Sequence, residues 1–332
     1  MESISDRITL FRRWRPRGCE RSARLGRLAA AALCHAVSGC AIVPSAGDVQ
    51  PIDVFLVAGQ SNAVGFDAPA SELTPADIDQ SSILWWRVGD PPPDSFDSTS
   101  APEGWQPLQI QPRGEPEPKG KRPRQYGNFR DASGGFGPEI GFAQEIGRIT
   151  GARCAFIKVA FSGTSLARDW DPARVNEEES CYRALLDESR RALDALRLGD
   201  RRAGLCGTGV VEIRLRALLW VQGESDANEE DAARYEARLE ALIRALRQDL
   251  SAPDLAAVVT VNDQFGGTGR PPVMRVVEAQ RAVAARDSSV VFTHASAASR
   301  ANGAHFDAQG TLWLGRQMAL DWFGLEKSEA FP

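Results

Sequence analysis

Gly59-Gln60-Ser61-Asn62-Ala63 follows a short apolar run, Asp53-Val-Phe-Leu-Val-Ala58, so that a serine sits three residues past the end of a candidate strand. A glycine at such a place permits a sharp turn. A serine on that turn exposes its hydroxyl while its own N–H points at the same ligand, the logic of a nucleophile elbow. The full Gly-x-Ser-x-Gly pattern is absent, because Ala63 occupies its last position, and a Gly-x-Ser turn is more often only a turn. A serine hydroxyl is a weak nucleophile until a base takes its proton, and near neutral pH that base is usually histidine. The chain has three histidines, and only His294 and His305 lie beyond residue 40. His294 directly follows an apolar run and reads as a structural or surface histidine. His305 lies in Asn302-Gly-Ala-His-Phe-Asp307, a polar loop ahead of a helical pattern. Two further polar, glycine-bearing segments, Phe161-Ser-Gly-Thr-Ser165 and Gln222-Gly-Glu-Ser-Asp226, also follow apolar runs.

The elements that must carry these loops are legible as alternating patterns. Besides 53–58, apolar runs occur at 155–160, 216–221, 255–261 and 289–293. Such runs suit interior strands of a parallel sheet, buried on both faces. Between them lie helical patterns near 138–149, 180–197, 273–286 and 308–323. The clearest sets Tyr235, Leu239, Leu242, Ile243, Leu246 and Leu250 on one face. Strands alternating with helices predict right-handed βαβ units, hence an α/β fold: a five-stranded parallel sheet in a three-layer α/β/α sandwich. Ligands of such sheets bind beyond the carboxyl ends of the strands, where the four polar loops fall. Residues 89–135, rich in Pro, Gly and charge, read as a long irregular insertion. No internal repeat is found, and one domain is expected over 51–325, with a tail at 326–332.

Composition bounds the rest. Of 332 residues, 43% are hydrophobic and 25% charged, ordinary globular values that exclude wholesale disorder. Residues 1–40 hold eight arginines and three acids, whereas the remainder carries 31 basic and 41 acidic side chains, a net −10. A body that acidic does not attract phosphate backbones, so nucleic acid is not an expected partner. The arginines precede the apolar run Leu28-Ala-Ala-Ala-Ala-Leu33, and small residues follow, the order of a secretory signal. Val37-Ser-Gly-Cys40 resembles a lipobox, in which the cysteine becomes lipidated. Residues 1–40 are therefore expected to target the chain for export, lipid-anchored through Cys40 or periplasmic or extracellular, with a linker at 41–50. Cys154 lies in an apolar run and reads as a buried thiol, and the sequence leaves a Cys181–Cys206 pairing open. No Cys/His spacing suggests a metal and no glycine loop cradles phosphate, so no cofactor is expected.

Taken together, Gly59-Gln-Ser-Asn62, Phe136-Gly-Pro-Glu139, Trp220-x-Gln-Gly-Glu-Ser-Asp226, Arg275-x-x-x-Ala-Gln-Arg281 and His305-Phe-Asp-x-x-Gly310 resemble the SGNH hydrolases. They are most similar to the branch of sialate O-acetylesterase-like proteins and acetyl xylan esterases, carbohydrate esterase family six. The resemblance runs in order from about 53 to 320. It implies a flavodoxin-like SGNH hydrolase fold, Ser61 as nucleophile and His305 as base. It also implies an oxyanion hole made by the backbone N–H of Ser61, the backbone N–H of Gly163 and the side-chain amide of Gln222. Gln60, Asn62 and Trp170 are expected to touch substrate, an acetylated carbohydrate, and no cofactor is implied.

One position departs from the family pattern. Most relatives carry Asp three residues before the histidine, and this chain has Asn302. An amide oxygen can accept the imidazole N–H but supplies no negative charge. Glu224 is the favoured source of the carboxylate. The alternatives are Asn302 as a neutral orienter, or a protein that binds carbohydrate without hydrolysing it; Asp307 is a weaker candidate, since it equally suits a helix cap. A carboxylesterase for small non-sugar esters is a further reading. Trp85, Trp86, Trp105 and Tyr126, near the insertion, are candidates to wall a sugar site, although tryptophans beside strands are more often core.

Overall fold

The computed structural model describes residues 51–91, 93, 99–100, 104–114, 129–199 and 212–330. The expected targeting segment with Cys40, the linker at 41–50, Tyr126 and Cys206 lie outside the described residues.

Continuous apolar runs become neighbouring strands of one sheet. β1 (Ile52–Gly59) lies between β5 (Cys154–Phe161) and β6 (Ile213–Val221), parallel to both. β2 (Ile83–Gly89) adds in parallel beyond β5, and β7 (Ala256–Thr260) and β8 (Val290–Phe292) add in parallel beyond β6. Two short strands, β3 (Thr99–Ser100) and β4 (Gln106–Pro107), pair antiparallel with β2. The order is β3-β2-β5-β1-β6-β7-β8, with β4 beside β2.

The expected three-layer sandwich is present, but its sheet is larger than five strands: seven follow one another and β4 pairs alongside. The additional parallel strand is Ile83-Leu-Trp-Trp-Arg-Val-Gly89, as apolar as the others. Its tryptophans, next to a proline-rich stretch, suggested a binding wall instead. In the strand they alternate, Trp85 into one core layer and Trp86 into the other.

The same period of two divides β1, whose Val54, Leu56 and Ala58 face one layer and Phe55 and Val57 the other. Against the first face pack α3 (Cys181–Arg197), α5 (Tyr235–Asp249) and α6 (Pro271–Arg286). Against the second pack α1 (Ser61–Val64), α2 (Glu139–Thr150) and α7 (Ala308–Ala330); the one-turn α4 (Glu229–Ala232) precedes α5. Local chemistry sets the ends: Ser180 caps α3 by accepting the Arg183 N–H, and Pro271 and Pro272 open α6. α7 continues to Ala330, so the expected tail is helical through that residue. The described parts of the insertion are tied to the core, since the indole N–H of buried Trp105 donates to the Ala192 carbonyl and Gln111 pairs with Gly135. No helix among the described residues is long and apolar enough to cross a membrane. Because α1 follows β1 onto one face and α3 follows β5 onto the other, the chain diverges beyond their carboxyl ends, where open α/β sheets place ligands.

Candidate active site

β1 ends on Gly59, whose φ of +138° belongs to glycine and where a Cβ would overlap the Val221 carbonyl at the end of β6. The chain then turns at Gln60, and Ser61 opens α1, a single helical turn. Gly65 closes that turn at φ +88°, packed so tightly on the Phe136 carbonyl that no side chain fits. Both Gly65 and Phe66 donate their N–H to the Ser61 carbonyl. This folds the chain back over the turn that carries Ser61 and brings Asp67 beside it.

His305 joins these groups from the opposite end of the sequence. Its Nε2 lies 3.0 Å from Ser61 Oγ and its Nδ1 lies 2.7 Å from Asp67 Oδ2. With the Nδ1 proton donated to Asp67, Nε2 is left as acceptor for the serine O–H, the division of roles of a serine–histidine–carboxylate array. Ser61 is 6% exposed and Asp67 8%, so the array is shielded yet reachable from solvent. The Phe66 ring packs on the imidazole at 5.0 Å between centroids.

The carboxylate partner is therefore Asp67, and the expectations for Glu224 and Asn302 are corrected. Asn302 does not bond the ring: its Nδ2 donates to Asp67 Oδ2 at 2.7 Å, and its Oδ1 accepts the N–H of Ala304 and His305. Asp67 Oδ1 faces Arg130 Nη1 at 3.3 Å, so both carboxylate oxygens are engaged. Glu224 is turned beneath α1 instead. Its Oε1 accepts from Asn62 Nδ2 at 2.7 Å and from the Asn262 N–H at 3.2 Å, while its Oε2 has no hydrogen-bonding partner among the described residues. Burial pushes its carboxyl above the usual range, against hydrogen bonds that lower it. Asp307 caps α7 by accepting the Gly310 N–H, as a helix-start carboxylate does. Asp67 had no local signal, because Gly65-Phe66-Asp67-Ala68-Pro69 reads as a turn; only the vacancy at Asn302 pointed to an acid elsewhere.

The expected oxyanion donors divide. The N–H groups of Ser61 and Gly163 have no acceptor among the described residues, and Gly163 is exposed at φ +72°. Gln222 is fully buried and its amide nitrogen is committed, to Asp226 Oδ2 at 2.6 Å, the Thr164 carbonyl at 3.1 Å and Gln60 Oε1 at 3.2 Å. It cannot also donate to an oxyanion. What it holds is Gln60, whose Oε1 accepts from Gln222 and from the Ser225 N–H and whose amide nitrogen has no acceptor among the described residues. Asp226 in turn accepts the N–H of Leu166 and Ala167, fixing the loop that carries Gly163.

Two of the other expected substrate contacts are revised, and Gln60 is not one of them. Asn62 points inward, with its amide bonded to Glu224, Ala304 and Phe306. Trp170 is fully buried, its indole N–H donating to Thr164 Oγ1 and its ring edge-on to Trp220. Trp85, Trp86 and Trp105 are likewise buried, because each fills a core layer rather than a rim. His294 is exposed just past β8, beside Arg281 and Phe292. A polar cleft of about 330 Å³ abuts Gly163, with Arg168, Asp169, Arg174 and Glu179 in its walls. A larger groove between α5 and α6 shares no residue with the serine–histidine–aspartate array. Among the described residues no group of His, Cys, Asp and Glu side chains gathers to hold a metal.

Comparison with known proteins places the chain in a family. The model of a family described as carbohydrate esterase, sialic acid-specific acetylesterase, matches residues 51–323. Among solved structures, a protein from Arabidopsis thaliana is 20% identical with a TM-score of 0.55, over 83% of this chain and 99% of that one. NanS is 13% identical with a TM-score of 0.52, over 84% and 98%. A carbohydrate acetylesterase from Xanthomonas citri is 17% identical with a TM-score of 0.48, over 83% and 56%. The Arabidopsis thaliana protein and NanS share the fold. No curated protein matches the chain.

Proposed function

The chain belongs to the carbohydrate-esterase family of sialic acid-specific acetylesterases, and from that premise we propose that it is a serine O-acetylesterase that removes acetyl groups from sugars of the sialate or xylan type. The observation that carries this reading is the unbroken array Ser61 Oγ–His305 Nε2–Asp67, with contacts of 3.0 and 2.7 Å. In the proposed reaction His305 takes the Ser61 proton as Oγ attacks the acetyl carbonyl. Asp67 holds the imidazole in the required tautomer and balances the imidazolium. The oxyanion is met by the N–H of Ser61 and Gly163 and by the Gln60 amide, each donor worth about 2.7–4 kcal/mol of barrier when preorganised. Collapse breaks the ester C–O bond, and His305 protonates the departing sugar oxygen. Water, deprotonated by the same Nε2, then attacks the acetyl-serine; Ser61 regains its proton and acetate leaves.

The alternative of a non-hydrolysing carbohydrate binder rested on Asn302, and a carboxylate at Nδ1 removes that motive. The proposed setting is outside the cytoplasm, on the basic-then-apolar segment that ends at Cys40. Ser61→Ala and His305→Ala are each expected to abolish hydrolysis of p-nitrophenyl acetate and of acetylated sialic acid or xylo-oligosaccharide. A fluorophosphonate probe is expected to attach to Ser61 of the unaltered protein. Full activity in either variant overturns the mechanism; an unlabelled serine with retained glycan binding restores the binder.

A further inference from the structure

We propose that Glu224 is a positioning residue, acting through Asn62 to set His305 against Ser61, and that it works as a hydrogen-bond acceptor rather than as a negative charge. The proposal rests on the reading of Ser61 and His305 as the reacting pair. Asn62 follows the nucleophile directly, and it grips the peptide groups on both sides of the base. Its Nδ2 donates to the Ala304 carbonyl at 3.1 Å, and its Oδ1 accepts the Phe306 N–H at 3.1 Å. One side chain thus spans 244 positions of sequence and ties the nucleophile turn to the base loop. α1 is only one turn long, and so short a helix does not hold itself.

The grip works in one orientation of the amide only. Rotated by half a turn, Asn62 would oppose its oxygen to the Ala304 carbonyl and its NH₂ to the Phe306 N–H. Glu224 selects the productive orientation, because Oε1 accepts the remaining Nδ2 hydrogen at 2.7 Å and would repel Oδ1. Asn262 supports the same arrangement: its N–H donates to Glu224 Oε1 and its Nδ2 to the Ala304 carbonyl at 3.1 Å. No ion pair to Glu224 occurs among the described residues, and its second oxygen is buried without a partner. The bonds to Oε1 come from neutral N–H groups, and an amide oxygen accepts the same bonds.

The test is a cycle of Glu224→Gln, Glu224→Ala, Asn62→Ala and the double Glu224→Ala/Asn62→Ala, assayed on p-nitrophenyl acetate. Glu224→Gln is expected to keep kcat within about threefold, whereas Glu224→Ala and Asn62→Ala each lose roughly 10²-fold in kcat with KM within about twofold, as for a reacting group displaced by about 1 Å. The double variant is expected to match Asn62→Ala alone within about threefold, since Glu224 acts through it. A second readout does not need turnover: the downfield proton resonance of His305 Nδ1–H, held on Asp67, should persist in Glu224→Gln and vanish in Asn62→Ala. Loss of activity and resonance in Glu224→Gln as severe as in Glu224→Ala overturns the proposal by showing that the charge is required, and multiplicative losses in the double variant overturn it by showing independent action. Failure of the esterase reading is separable, because the unaltered protein would then show no Ser61-dependent turnover while the resonance still reports the clamp.

Discussion

At the scale of residues, the site turns on which carboxylate meets the imidazole. Asp67 holds both the His305 Nδ1 and the Asn302 amide, so Asn302 supports the acid rather than replacing it. Two substitutions separate these roles. Asp67→Asn is expected to lower kcat by roughly 10³–10⁴-fold with little change in KM, because an amide favours the wrong imidazole tautomer. Asn302→Ala removes one donor to the acid and should cost about tenfold, the worth of a single hydrogen bond of about 1.4 kcal/mol. Steady-state kinetics on an acetyl ester decide it, and a larger loss in Asn302→Ala would mean that the acid has been misassigned.

At the scale of elements, the one-turn α1 is positioned from outside itself. Glycines at 59 and 65 let it settle against β6 and the Phe136 backbone, and Lys158, fully buried on β5, grips its end. The ammonium donates to the Val64 carbonyl at 2.9 Å, Gln111 Oε1 at 2.7 Å and Glu139 Oε1 at 2.8 Å, which uses all three of its protons. Burial lowers its pKa while Glu139 opposes the shift. Here Glu139 of the Phe136-Gly-Pro-Glu segment finds its use, as the counter-ion of the lysine that holds the Ser61 turn. Lys158→Met is expected to destabilise the protein by about 3–5 kcal/mol in urea unfolding, because it leaves a buried carboxylate uncompensated. Lys158→Met with Glu139→Leu should recover much of that loss; equal loss in both would show that the hydrogen bond to Val64 matters more than the charge.

At the scale of the whole molecule, buried carboxyls make stability depend on pH. Burial lifts Glu224 above its ordinary 4.5 and Asp226 above its ordinary 3.8. Between those values and the raised ones the folded chain holds more protons than the unfolded chain. Their contribution is therefore complete in acid and is lost as pH rises through the folded-state values. Glu224→Gln removes one of the two groups and should flatten the fall in unfolding free energy above pH 4.5. Urea titrations from acid to neutral pH measure this, and a steeper fall in the variant would contradict the raised carboxyl.

The sequence by itself determined the layered α/β class, the four polar loops at one end of a parallel sheet, and Ser61 and His305 as the groups to watch. These rest on local facts: apolar runs suit strands buried on both faces, and histidines are too few to leave many bases. Tertiary structure decided the rest. The tryptophans near the insertion became core because β2 paired with β5 and turned them into its two layers. Gln222 lost its donor role because its neighbours absorbed both amide hydrogens. The carboxylate bonded to His305 is Asp67 because a turn closed by Gly65 on the Phe136 backbone brings it within 2.7 Å of an imidazole 238 positions away. A hydrogen bond depends on separations of a few tenths of an ångström, and residue order carries no such distance until the chain has closed upon itself.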